Sequence, residues 1–203
     1  MKVHLLRSTA AVYTANAYLI LGDSNRLEDV NALVDVGTDG TIVNSIGQMS
    51  TGVGKKPVAR VILTHSHFDH SGGLGRVIVK FNPEVLAYSM MDGVSRLLTD
   101  GEVILLGDEL FEIIHSPEHS SDSICLFSLT SGALFSGDTP LNIQSPGGTY
   151  QEGFVVFLED LVRKGVRTIY SGHDAPNSKN PMEVIRATLR NVLASDIIAR
   201  KSA

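Results

Sequence analysis

The chain has 203 residues, of which 43% are apolar and 19% charged, with a formal net charge of -5 and one cysteine. These values exclude a disordered chain, an internal disulfide and the basic stripe that a nucleic-acid groove requires. They predict one globular domain over residues 1–203.

In chain order, residues 2–7 and 17–22 read as strands, with a turn or flap over 13–16 between them. The N-terminal stretch lacks the apolar run of a secretory leader, because His4 and Arg7 interrupt it. No apolar run approaches the roughly 20 residues that span a bilayer. The expected setting is cytoplasmic, with neither membrane nor nucleic acid among the partners. Residues 32–37 form a third strand, 38–49 a weak helix, and 50–57 a loop rich in Gly, Lys and Pro. A strand over 58–64 then feeds Thr64-His65-Ser66-His67-Phe68-Asp69-His70, which holds three of the seven histidines and an aspartate.

A helix over 72–81 follows, stopped by Pro83, and then a strand over 85–88. Residues 90–98 predict one or two helical turns. Strands over 102–106 and 109–115 pair around Gly107-Asp108, and strands over 123–129 and 133–136 pair around Ser131-Gly132. A loop over 139–149 leads to a helix over 151–164 and a strand over 166–170. Asn180 is an N-cap candidate with Pro181 behind it, and the last helix is expected to run to about residue 199. The second half repeats the element order of the first. The expected fold is α/β, a four-layer αββα sandwich of two similar halves.

Imidazole nitrogens and carboxylate oxygens suit zinc, iron and manganese. The stretch from His65 to His70 therefore reads as a metal loop at a strand end. Further ligands would then sit in loops after later strands, and His119, Asp138 and His173 do so. Taken singly, each also fits an ordinary turn or surface position. His4 and His115 read as structural. Cys125 lies inside Ile124-Cys125-Leu126-Phe127 and reads as a buried thiol packed as a small hydrophobe.

The motif His65-x-His67-x-Asp69-His70, followed by His119, Asp138 and His173, resembles the metallo-β-lactamase fold superfamily over nearly the whole chain. Asn16-Ala17-Tyr18-Leu19-Ile20, Leu33-Val34-Asp35-Val36-Gly37 and Ser136-Gly137-Asp138 are similar to recurrent segments of that family. The resemblance implies two divalent metal ions, zinc ahead of iron or manganese. It implies that His65, His67 and His119 hold one ion and that Asp69, His70 and His173 hold the other. Asp138 would bridge them, and Asp35 would support the metal loop from behind through hydrogen bonds. Two such ions, about 3.5–4 Å apart, lower the pKa of a shared water from about 15.7 towards neutrality.

The expected reaction is attack of the resulting hydroxide on an acyl bond. The substrate would be a small-molecule thioester, lactone or related ester, with Asp69 and Asp138 as the catalytic carboxylates. An aspartate at 138 resembles the glyoxalase II-like and lactonase-like branches, since antibiotic-degrading members place a thiol or hydroxyl there. The alternative is a mononuclear iron oxygenase acting on a persulfide, which uses counterparts of His65, His119 and Asp138. Glu118 and Asp122 depart from the family pattern; extra carboxylates beside the metals would raise cation affinity and disfavour anionic substrates. Tyr13 and Tyr150 fall in loops beside the expected mouth and are candidate substrate contacts. Oligomeric state is not readable from the sequence.

Overall fold

The computed structural model describes residues 1–6 and 12–199, so Arg7, at the end of the first expected strand, lies outside the described residues. The first half runs β1 (Lys2–Leu6), β2 (Ala17–Leu21), β3 (Ala32–Val34), α1 (Ile42–Gly47), β4 (Arg60–Ile62), α2 (Phe68–Ser71), α3 (Leu74–Phe81), β5 (Glu84–Ala87) and β6 (Arg96–Leu97). The second half runs β7 (Val103–Leu106), β8 (Glu109–His115), β9 (Ile124–Ser128), β10 (Ala133–Gly137), β11 (Thr149–Gln151), α4 (Glu152–Lys164), β12 (Thr168–Ser171), α5 (Pro181–Leu193) and β13 (Asp196–Ile198). One sheet has the order β1-β2-β3-β4-β5-β6, another the order β12-β10-β9-β8-β7, and β11 pairs with β13 in a small third sheet.

Alternation along the strands sorts the core into three layers, because successive side chains point to opposite faces. Leu19, Leu33 and Val61 face outward onto Ile42 and Ile46 of α1 and Leu74, Val77 and Phe81 of α3. Their neighbours Ile20, Ala32, Val34 and Ile62 face inward, where they meet Phe111, Ile113, Leu126 and Phe135 of the second sheet. On the far side Cys125, Phe127, Leu134 and Ile169 pack on Phe154, Phe157, Leu158 and Leu161 of α4 and on Ile185 of α5. Helix, sheet, sheet and helix thus form the expected four layers.

Several boundaries differ from the sequence reading, each for a local reason. Residues 90–98 are not helical. Gly93 adopts a φ of +91°, outside the helical region, and β6 then pairs with β5 in parallel. The loop after β4 contains a helical turn of its own, α2. His67 carbonyl accepts from His70 and Ser71 amides, both at 3.0 Å, and the Ser71 hydroxyl donates to the same carbonyl. The last helix stops at Leu193 rather than near residue 199. Ser195 Oγ donates to Asn191 carbonyl at 2.7 Å and accepts from Gly147 amide at 2.8 Å, which offers the backbone an alternative to helix. Residues 196–198 then pair in parallel with 149–151. Asn180 stands at the N-cap position of α5 with Pro181 at its start, but its side chain makes no capping bond.

Phe135 is fully buried between the sheets, stacked on Tyr170 at 4.6 Å and edge-on to Tyr18 at 5.5 Å. Phe135→Ala is expected to lower unfolding free energy by about 3–5 kcal/mol. Val79→Ala, on the exposed side of α3, is expected to change it by less than about 0.5 kcal/mol. Urea unfolding followed by circular dichroism checks both; equal costs would contradict the layer assignment.

Candidate metal centre

The seven candidate ligands come from four strand ends at one edge of the sandwich. His65, His67, Asp69 and His70 follow β4, His119 follows β8, Asp138 follows β10 and His173 follows β12. Backbone bonds hold these loops together, both across the two sheets and within the second. Ile124 amide donates to Thr64 carbonyl at 2.8 Å, Asn16 amide to Gly172 carbonyl at 2.6 Å, and Gly172 amide to Gly137 carbonyl at 2.8 Å.

The seven side chains converge as two groups. His65, His67 and His119 form one; Asp69, His70, Asp138 and His173 form the other, with ligand atoms within 4.8 Å of one another in each. In the first, His67 Nδ1 lies 3.1 Å from His65 Nε2 and 2.9 Å from His119 Nε2. In the second, His173 Nε2 lies 3.1 Å from Asp69 Oδ2 and 3.3 Å from Asp138 Oδ2. Asp138 also reaches the first group, since its Oδ2 is 3.7 Å from His119 Nε2.

Asp35 organises the second group from behind. It is buried at the end of β3 with a φ of +56°, a region that Asp enters more readily than most residues. Its carboxylate accepts from Thr64 amide and Thr64 Oγ1, both at 2.8 Å, and from His70 Nδ1 at 2.7 Å. With the His70 proton on Nδ1, Nε2 carries a lone pair and points at the carboxylates. That atom is buried and makes no hydrogen bond, although Asp138 Oδ1 is only 3.2 Å away. A lone pair facing carboxylate oxygens is satisfied only by positive charge between them, a proton or a metal cation. The donor set and this orphaned atom both fit a divalent ion.

The charge balance agrees. Burial lowers the His70 pKa, but Asp35 and Asp138 outweigh it and raise the group to about 10. Burial raises Asp138, yet the neighbouring His70, with the charges of His173 and His65, holds it down at about 2. Burial, with the neighbouring His70, pushes His65 down to about 4, so it presents a neutral nitrogen. Burial also lowers His119.

Two residues without a sequence-based assignment complete the geometry. Thr64 Oγ1 lies 3.1 Å from His65 Nδ1 while donating to Asp35, so it touches both groups' supports. Gly172 leaves room for the cluster: a Cβ there would lie 2.2 Å from Asp138 Oδ1 and 2.7 Å from His70 Cε1. The signal for Gly172 is present in the chain, since Ser171-Gly172-His173 repeats the pattern Ser136-Gly137-Asp138.

The remaining candidates separate. Tyr13 reaches the cluster, its ring stacked on His173 at 5.0 Å and its hydroxyl 3.3 Å from His173 Nε2. Tyr150 stacks on Phe154 at 6.0 Å and sides with the outer core layer. Asp122 does not face the ligands; it is buried and accepts from Ser66 amide at 2.9 Å and Ser120 Oγ at 2.7 Å. Glu118 lines a separate cavity of about 750 Å³ between β8 and α4. His115 stacks on Tyr88 at 4.1 Å and stays apart from the cluster, as does His4 opposite Leu19 in β1. Cys125 is buried, and burial pushes its thiol up to about 12.

Comparison with known proteins gives a consistent answer. The family profile of the metallo-beta-lactamase superfamily matches residues 11–173. A hydroxyacylglutathione hydrolase of Polaromonas sp. is 35% identical over 128 residues, which make up 58% of this chain and 49% of that one. An atrochrysone carboxyl ACP thioesterase of Aspergillus fumigatus is 29% identical over 123 residues, 58% of this chain and 39% of that one. The chain thus spans about half the length, or less, of these curated relatives. A metallo-beta-lactamase family protein of Thermus thermophilus superposes with a TM-score of 0.68 at 17% identity, covering 95% of this chain and 79% of the other, which speaks for the fold alone. The profile match covers most of the chain and includes all seven converging side chains, and the chain belongs to the metallo-beta-lactamase superfamily.

Proposed function

We propose that the chain is a metal-dependent hydrolase that cleaves an acyl bond, a thioester, lactone or related ester, in a small molecule. The observation that carries this reading is the position of Asp138, whose Oδ2 lies 3.3 Å from His173 Nε2 and 3.7 Å from His119 Nε2, between the two groups. His65, His67 and His119 would hold one divalent ion, Asp69, His70 and His173 a second, and Asp138 would bridge them. Zinc heads the choice of ion, with iron and manganese also suited to these donors. The relatives named above as a hydroxyacylglutathione hydrolase and an ACP thioesterase support thioester cleavage.

When bound, the two cations would supply a water acidified towards neutrality and positive charge for the oxyanion that develops on the substrate. The chain's own residues set up the rest. Asp35 fixes the tautomer of His70, so that Nε2 faces inward. Asp138, held near 2, stays ionised and holds charge at the centre. Asp69, whose Oδ2 lies 3.1 Å from His173 Nε2, would take the proton given up by the attacking hydroxide and pass it to the departing thiolate or alkoxide. The relatives named above, a hydrolase and a thioesterase, do not favour a mononuclear iron oxygenase, and the full set of Asp69, His70 and His173 argues mildly against it. Among the described residues no helix is long and apolar enough to cross a membrane, and the lone buried thiol is compatible with the reducing cytoplasm that we assign.

Chain purified and loaded with zinc is expected to bind two equivalents and to hydrolyse model thioesters, with loss of activity on chelation and recovery on readdition. Asp138→Asn is expected to lower kcat/KM by about 10²–10⁴-fold and to reduce metal stoichiometry; a variant with full activity would sink the bridging assignment. Asp35→Asn keeps a side chain that tolerates the backbone at 35 but loses the charge that orients His70. Its metal affinity, measured by competition with a chromophoric chelator, is expected to fall about 10–100-fold with an unchanged circular dichroism spectrum. Unchanged affinity would rule out the supporting role.

A further inference from the structure

We infer that the compound cleaved is uncharged and apolar on both sides of the acyl bond, and that anionic conjugates such as glutathione thioesters are poor substrates. The inference rests on the hydrolase reading above and specifies the substrate class of that site.

A cavity of about 420 Å³ opens directly on His119, Asp138 and His173. That volume lies within the range of small-molecule pockets. Its floor is apolar, with Leu141 and Ile169 buried and Val184 of α5 half-buried. Its polar lining residues include Asn142, Asn177 and the acidic Asp174. Among the described residues that line it, none is Lys or Arg.

A glutathione thioester brings two carboxylates. Away from the metal ligands they would find Asp174 in the lining and, among the described residues, no Lys or Arg to pair with. Desolvating a carboxylate without a partner is costly, and like charges add to that cost.

Exposed aromatic rings next to the candidate ligands point the same way. Tyr13 is 74% exposed and Phe68 70% exposed, and both adjoin candidate ligands: Tyr13 stacks on His173, and Phe68 sits between His67 and Asp69. Backbone contacts hold these two loops together, since Ala15 amide donates to Asp69 carbonyl at 3.1 Å. Thr38 Oγ1 further donates to Tyr13 carbonyl at 2.6 Å. Exposed aromatic side chains fixed beside a polar cluster offer apolar area to a ligand.

The test compares two non-hydrolysable thioethers, S-butyl-N-acetylcysteamine, which is neutral, and S-butylglutathione. Calorimetric titration of the zinc-loaded chain is expected to show at least about tenfold tighter binding of the neutral compound. Equal binding, or preference for the glutathione compound, overturns the inference. Val184→Lys, which brings a cation to the floor, is expected to narrow the preference to about threefold or less; an unchanged preference overturns the charge argument. The matching thioesters of N-acetylcysteamine are then assayed for hydrolysis, and kcat/KM is expected to rise about fourfold per methylene from acetyl to butanoyl. A flat series overturns the apolar acyl pocket. If neither a thioester nor a lactone is cleaved while the neutral thioether still binds preferentially, the hydrolase reading fails and the ligand preference stands.

Discussion

The carboxylate of Asp35 is the point on which the site depends. It is buried, charged and at the end of a central strand, so it must be fully hydrogen-bonded to be tolerated. Its three donors, Thr64 amide, Thr64 Oγ1 and His70 Nδ1, all belong to the loop after β4. Hydrogen bonds to a charged acceptor contribute about 1.5–3 kcal/mol each. The same three bonds fix where β4 ends, which side of His70 faces inward, and where Thr64 Oγ1 sits against His65. A neutral residue at position 35 would leave the histidine loop without this anchor.

Around that anchor, the sandwich acts as a device for bringing strand ends together. Two sheets packed face to face place the loops after β4, β8, β10 and β12 at one edge. Residues from 65 to 173 then converge on a space a few ångströms across. Small residues make the convergence sterically possible. Gly137 has a φ of +49°, and a Cβ there would lie 2.6 Å from Thr64 Oγ1; Gly172 plays the same part against Asp138. The cluster is polar and partly buried, and it carries opposed carboxylates and imidazoles that a cation would satisfy together.

Chemistry and selectivity are separated in this arrangement. The donor set follows from strand ends that the fold holds rigidly. The cavity beside it is built from the loops at 139–142 and 173–177 and from α5. The family profile therefore speaks to the fold and the donor set, whereas the lining of the cavity is set by these loops and α5. Extra acidity near the ligands was expected from Glu118 and Asp122. Asp122 instead ties the loop at Ser66 to the loop at Ser120, and Glu118 lines a different cavity, so among the described lining residues Asp174 is the acidic residue beside Asp138.

Much of this was legible in the chain alone. Strand alternation in Leu19-Ile20 and Leu33-Val34 encodes a sheet covered on both faces, because side-chain direction is a local property of the backbone. The spacing of the histidine motif and the strand-end positions of His119, Asp138 and His173 named the cluster, because donor chemistry belongs to residue type. Other features are not local. Residues 90–98 carry a helical pattern that one left-handed glycine defeats, and the last helix yields to a serine whose hydroxyl finds partners 48 residues away. Tyr13 and Tyr150 look alike in sequence, yet only Tyr13 stacks on a candidate ligand, because the crossover of the chain decides which loop faces which edge. The sequence by itself determined the layers, the donor types and the anchoring aspartate. Only the tertiary structure decided which carboxylates face the site, which aromatic borders it and that its cavity is lined without a Lys or Arg among the described residues, since each of these depends on contacts between segments far apart in the chain.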